Sequence, residues 1–469
     1  MLSPKHSAAA LAVTLSLIAH ISWRRNVLVA TTRQDGVVPP VVVVGGWSSA
    51  GTHMYELDTL NKLGSTLALG SYSEALLPFP GTCTLAAGSS LCCDGSVPPA
   101  DFLARPAGGG MGFTAECAVE CALRTATFLF SRPSASAPPG FVATATGAAP
   151  AHGQAPDSLA IHPAGKLLVG NFGGNPPGEV GGNAAILSWR SAGFVSARAA
   201  SLVASTAMAT PVLHPTSHIH YVATDETCGR DALVLIVDAG TFAIMASPVW
   251  AIHIVNPRTA AIEDTVHLPM RPRQITLHPT LPVAYVIYEL SGKLGVWHWP
   301  RCSRWRRPFD IAATPATPGT AELPTRPREL QQLATTETGT GPGPSSSSRA
   351  GWGGPAAPTR IMLSPLADVL HVCGRNRPTG EIATYAVDAV EGTLSLVGFT
   401  KTVGTNPREC ALSPGGEMLL EVDTDLGTLA SYAVGASGAL QRRLVVDGIE
   451  QANTLAVWTP PAQCYAPQE

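Results

Sequence analysis

Charge is scarce in this 469-residue chain: Asp, Glu, Lys and Arg together make up 13% of it. The 30 basic and 33 acidic residues leave a formal net charge of −3, and no basic run punctuated by aromatics occurs. Nothing therefore marks a nucleic-acid partner. The ten cysteines contain no CxxC pair, which argues against a structural zinc site. Cys228, Cys302, Cys373, Cys410 and Cys464 are scattered, whereas Cys83, Cys92, Cys93, Cys117 and Cys121 share one Gly/Ser/Pro-rich stretch. That stretch reads as a surface insertion with free thiols, or with internal disulfides if the chain is exported. What is abundant is apolar surface and chain breakers. Hydrophobic residues reach 45%, too many for a disordered chain, and 46 glycines and 41 prolines break up any helical bundle. The length allows two or three domains or one large all-β domain.

No acidic residue precedes Asp35, and Ser7 to Trp23 is apolar apart from Ser, Thr and His20, between Lys5 and Arg24-Arg25. An organellar transit peptide, a signal anchor and a misassigned start all fit, so residues 1–35 are set aside as a leader. A membrane enters only if that segment is an anchor, and the compartment is cytoplasmic or organellar.

The remainder repeats itself. Five segments share one pattern: Leu159-AIHPAGKLLVGN-Phe172, Val212-LHPTSHIHYVATD-Glu226, Ile275-TLHPTLPVAYVIYE-Leu290, Ile361-MLSPLADVLHVCGR-Asn376 and Ala411-LSPGGEMLLEVDT-Asp425. Each is an apolar strand, a His/Ser-Pro turn and a second apolar strand, which reads as a β-hairpin. His162, His214 and His278 occupy the turn and read as turn residues. Third strands follow at Ala184-AILSW, Leu233-VLIVD, Leu294-GVWHW, Glu381-IATYAV and Thr428-LASYAV, and weaker fourth strands lie near Gly392 and Gly438. Four strands recurring every roughly 50 residues or a small multiple of that indicate an all-β fold, a seven-bladed β-propeller of four-stranded antiparallel blades over residues 36–460. Insertions are expected at about 81–115 and 314–356, and a tail at 461–469. The ring should close by pairing strands within Val37 to Leu57 with Asn453-TLAVW, which removes exposed edges.

A hairpin brings the start of its first strand and the end of its second to one end of the sheet. Asp157, Arg273, Arg360 and Arg408 precede first strands; Asn171, Asp225, Glu289, Arg375 and Asp423 follow second ones. Arginines among a few carboxylates suit a small anionic substrate, because guanidinium binds carboxylate or phosphate bidentately. A carboxylate among them can serve as a base on water. The carboxylates are too few and too mixed with arginine for a cage around a hard cation, so no metal and no cofactor is expected.

PRQITLHPTLPVAYVIYELSGKLGVW resembles a blade of the seven-bladed lactonases, which include bacterial-type 6-phosphogluconolactonases and fungal carboxy-cis,cis-muconate cyclases. APDSLAIHPAGKLLVGNFGG, RIMLSPLADVLHVCGRN, VGTNPRECALSPGGEMLLEVDTD and THMYELDTLNKLG agree with it. The resemblance implies that Arg273, Glu289 and Arg375 are catalytic. Glu289 would activate water while the two arginines clamp the acid group and the developing oxyanion; the hairpin register adds Arg408, Asn171, Asp225 and Asp423 as substrate-binding residues. It also implies departures. Family histidines are expected where Ala209, Gln274 and Ser158 stand, and the arginine and late asparagine phrases read Gly374-Arg375-Asn376 and Val422-Asp423-Thr424. The implied function is a monomeric lactonase acting on a phosphorylated or carboxylated sugar-acid lactone, 6-phosphogluconolactone foremost. A muconate-type cycloisomerase and a non-catalytic binding propeller are the alternatives.

Overall fold

In the computed structural model of the chain the described residues are 40–46, 52–66, 73–78, 84–89, 124–131, 142–150, 156–173, 181–191, 200–210, 214, 216–240, 250–300, 326–337, 356–376 and 379–459. Pro40–Glu469 is one compact unit, and Met1–Pro39 is a separate one outside the described residues. The leader at 1–35, the tail at 461–469 and the five clustered cysteines also lie outside them.

Seven four-stranded antiparallel sheets make up the ring. Blade 1 consists of β1 (Val41–Gly46), β2 (Thr52–Glu56) and β3 (Lys62–Thr66) together with β28 (Ala452–Trp458). Blade 2 is β4 (Ser73–Pro78), β5 (Thr84–Ser89), β6 (Arg124–Ser131) and β7 (Val142–Pro150). Blade 3 is β8 (Pro156–His162), β9 (Lys166–Gly173), β10 (Gly181–Ser191) and β11 (Ala200–Ala209). Blade 4 is β12 (Ile219–Thr224), β13 (Val234–Asp238), β14 (Ala251–Val255) and β15 (Ile262–His267). Blade 5 is β16 (Pro272–Leu277), β17 (Val283–Tyr288), β18 (Lys293–His298) and β19 (Arg328–Ala334). Blade 6 is β20 (Ala356–Leu363), β21 (Val369–Asn376), β22 (Glu381–Val387) and β23 (Leu394–Lys401). Blade 7 is β24 (Pro407–Leu412), β25 (Met418–Asp423), β26 (Thr428–Val434) and β27 (Leu440–Val446). The strands β28, β4, β8, β12, β16, β20 and β24 each neighbour the next and line the centre.

Composition follows depth. Second strands are buried on both faces, so VAYVIY of β17 and MLLEVD of β25 are buried throughout. Outer strands face water and read polar: RELQQLA of β19 alternates exposed and half-buried residues. The core lies between blades, as where Val286, Ile254 and Trp297 join blades 4 and 5. Cys373 of β21 and Cys410 of β24 form a disulfide across blades 6 and 7. The turn histidines satisfy backbone groups: His162 Nδ1 accepts from the Ala164 N–H, His214 Nδ1 from Thr216 and His278 Nδ1 from Leu281.

Three sequence expectations change. The stretch 81–115 is not wholly an insertion, because Thr84–Ser89 is the second strand of blade 2; its Gly, Ser and Cys content hid its pairing potential. The stretch 314–356 likewise contains the outer strand of blade 5, whose solvent-facing polarity made it read as loop. In blade 4 the innermost strand is not at Val212 but is β12, and Leu233-VLIVD supplies the second strand rather than the third. His214-Pro215 imitates the hairpin turn of the other blades but precedes the first strand.

Glu421 and Tyr432 form a buried polar pair in blade 7, the Tyr432 hydroxyl donating to Oε2 at 3.1 Å. Burial, then the charge of Asp423, pushes the Glu421 carboxyl up to about 8. The folded chain thus holds this proton more tightly than the unfolded chain, whose carboxyl titrates near the ordinary 4.5. The stabilisation is full below that value and is lost as pH rises through about 8. Glu421→Gln should flatten the fall of the urea midpoint over this range, removing at most about 1.4 kcal/mol per pH unit. Identical slopes for the variant and parent would rule this out.

Candidate active site

Every innermost strand carries one extra residue near its start, opposite a single residue of the second strand. The residues in this bulge are Asn453, Glu74, Asp157, His220, Arg273, Thr359 and Arg408. Proline precedes it in four blades, as Pro156, Pro272, Pro358 and Pro407; lacking an N–H, proline suits a point where the ladder is interrupted. A bulge re-aims its side chain, and all seven residues here are polar. Six of them, Asn453, Asp157, His220, Arg273, Thr359 and Arg408, form a ring of groups at one end of the channel. Arg408 Nε donates to Asn453 Oδ1 at 2.9 Å, Arg273 Nε to the Thr359 carbonyl at 3.0 Å and the Thr359 hydroxyl to the Pro407 carbonyl at 2.8 Å.

At the centre stands Glu289, 1% exposed. Arg273 Nη1 donates to its Oε1 at 2.6 Å and Arg271 Nη1 to its Oε2 at 2.8 Å. Arg375 Nη1 lies 3.8 Å from Oε1 and His220 Nε2 3.5 Å from Oε2. Burial disfavours this carboxylate, but Arg273, Arg271 and His220 outweigh burial and hold its pKa well below the ordinary range. Arg271 donates its Nε to the Ala239 carbonyl, and burial lowers its pKa to about 10. Arg375 is lowered to about 9 by burial and by Arg408 and Arg273, so both stay charged at neutral pH.

His220 turns its other nitrogen, Nδ1, to Asp157 Oδ2 at 3.0 Å. Asp157 is likewise opposed by burial but held below the ordinary carboxylate range by the hydrogen bond and charge of His220 and by the charges of Arg408 and Arg273. Phe172 packs edge-on against the His220 ring, with centroids 4.8 Å apart.

The structure brings Arg273, Glu289 and Arg375 together and adds Arg408 to the ring. It does not bring Asn171, Asp225 or Asp423 there. Asn171 and Asp423 pair with Pro156 and Pro407, the slot that Tyr288 fills opposite Pro272; Glu289 and Arg375 come one residue later. One residue along a strand turns the side chain to the other face. Asn171 instead donates to Asn183, and Asp423 accepts from the Asn406 and Leu426 N–H groups. Asp225 follows an innermost strand rather than a second one, at the end away from His220.

The histidine departures also resolve. Ala209 ends the outer strand of blade 3, and the slot in blade 4 belongs to His220. Ser158 and Gln274 are not ring residues. Ser158 accepts from the Val222 N–H, and Gln274 exchanges two hydrogen bonds with the Ile361 backbone, each joining a blade to the next. Sequence reasoning missed Arg271 and His220. The signal was period-two spacing: Arg271 two residues before Arg273, and His218 two before His220.

The sequence profile of the family described as lactonase, 7-bladed beta-propeller, matches residues 141–451, well over half of the chain. The chain belongs to this lactonase family. Among solved structures it is similar to a periplasmic gluconolactonase of Pseudomonas aeruginosa, with 20% identity, 90% of this chain and 99% of that one covered, and a TM-score of 0.59. It is also similar to a candidate 6-phosphogluconolactonase of Bacteroides uniformis, with 18% identity, 89% and 99% covered, and a TM-score of 0.60. A search of curated proteins finds no match. At these identities the structural likeness establishes the fold, and the lactonase ring is read from its own residues.

Proposed function

We propose that the protein hydrolyses a sugar-acid lactone, with 6-phosphogluconolactone the leading substrate. The observation that carries this reading is the Asp157–His220 pair set against a cluster of guanidiniums in a lactonase propeller. Lactone hydrolysis needs a base on water, a partner for the carbonyl oxyanion and an acid for the leaving ring oxygen. Both Glu289 oxygens are taken by arginines, so this carboxylate is a poor base; it fixes the guanidiniums in place. The group left for proton transfer is His220, whose Nε2 lies 3.5 Å from both Glu289 Oε2 and Arg271 Nη2. With Nδ1–H donated to Asp157, Nε2 takes a proton from water as the water oxygen bonds to the lactone carbonyl carbon. The carbonyl oxygen gains negative charge, which Arg273 and Arg375 stabilise. When the ring C–O bond breaks, His220 returns its proton to the departing oxygen, giving the open hydroxy acid.

The test is acid release from glucono-δ-lactone and 6-phosphoglucono-δ-lactone by the purified chain, set against spontaneous hydrolysis. Turnover well above that background is expected. Background rates with both lactones would leave a binding propeller as the function.

A further inference from the structure

Among the described side chains of the cluster, five guanidiniums (Arg271, Arg273, Arg360, Arg375 and Arg408) stand against Asp157, Glu289 and Glu409, with Asp238 and Asp425 acting on Arg271 and Arg375 from outside it. The guanidiniums are not equally engaged. Arg271 and Arg273 are committed to Glu289 and to backbone carbonyls, and Arg408 to Asn453. Arg360 differs. It follows the bulge residue Thr359, so it lies one position further along the innermost strand. Its Nε pairs with Glu409 Oε1 at 2.7 Å, and its guanidinium lies over the Tyr221 ring, 5.3 Å from the centroid. Glu409 sits on β24, the innermost strand next to β20, whereas Tyr221 sits on β12, so the ring contact passes over the innermost strand of blade 5 between them. One third of the Arg360 side chain remains exposed. Asp157 is within electrostatic reach of Arg360, and Arg273 and Arg408 are within reach of Glu409, so the group adjoins the Glu289 cluster.

We propose that Arg360, aimed by Glu409 and backed by Tyr221, receives an oxyanion at the end of the substrate remote from the lactone carbonyl, and so selects lactones carrying a phosphate or a second carboxylate. The proposal rests on the lactonase reading of this site. The carboxylate on Nε and the aromatic face fix the angle of a planar fork while one third of the side chain stays exposed, and a fixed fork is what bidentate binding of an oxyanion needs. An uncharged sugar end finds no such partner there.

The experiment measures initial rates with glucono-δ-lactone, 6-phosphoglucono-δ-lactone and glucarolactone, each corrected for spontaneous hydrolysis. Arg360→Gln should raise KM about tenfold or more for the phosphorylated lactone, the carboxylated lactone or both, the fold-change expected for losing one charged hydrogen-bonding partner. kcat should stay within about twofold, and KM for the uncharged lactone should not move. The charged lactone that responds identifies the oxyanion. Arg360→Lys, which keeps charge but not the fork, should recover only part of the loss. Equal changes with all three lactones, or none, would overturn the proposal. If the parent turns over none of them, the lactonase reading fails, and the proposal is then judged by titration calorimetry with 6-phosphogluconate and gluconate. Binding of the phosphorylated acid that Arg360→Gln abolishes would support it; equal binding in parent and variant, or none, would overturn it.

Discussion

His220→Asn is expected to lower kcat for the lactone by about 10²–10⁴-fold, the usual contribution of a positioned proton-transfer group. The asparagine amide can still meet Asp157, so folding and KM should change little. The loss should fall on the chemical step because the side chain no longer moves a proton between water and the ring oxygen. A variant retaining more than a tenth of the parent kcat would remove His220 from the mechanism and return the role of base to Glu289.

Glu289→Gln separates the two readings from the other side. The carboxylate is 1% exposed and holds two arginines, Arg271 and Arg273, at 2.8 and 2.6 Å. Neutralising it leaves their charges facing each other in a buried site. Breaking a buried ion pair by removing one partner typically costs about 3–5 kcal/mol, and a loss of that order in denaturant unfolding is expected. Activity should fall alongside stability because the arginines lose their anchor. Unchanged stability with abolished turnover would mean that Glu289 is the base after all.

The propeller could be read from the sequence because one hairpin phrase recurs in four blades and is imitated in a fifth, and because Val41–Gly46 and Asn453-TLAVW are apolar runs with no other partner. Turn and pattern chemistry acts locally, and repetition multiplies it. The ring of site residues was legible only in part. Arg273 and Arg408 stand after prolines that mark the bulge, so register pointed to them directly. Arg360 was counted in place of Thr359, which follows Pro358, and Asn171 and Asp423 in place of their successors, because the bulge shifts the pairing of the second strand by one residue. His220 was lost to a larger error, the imitation turn at His214-Pro215, which moved a whole strand. Arg271, just before a strand, was not singled out. Only the fold shows that a carboxylate from the neighbouring strand of the same blade waits there to bury it.

The strand that seals the ring follows every other strand of the ring in sequence. β28 pairs along β1, joining Val43 to Ala456 across nearly the whole chain, and it delivers Asn453 to the side chain of Arg408. Until β28 is synthesised, blade 1 has no innermost strand, the circle has a gap facing the channel, and the ring of side chains is one member short. A growing chain can complete six blades and still have no finished site, so the binding site comes into being with the closing of the ring.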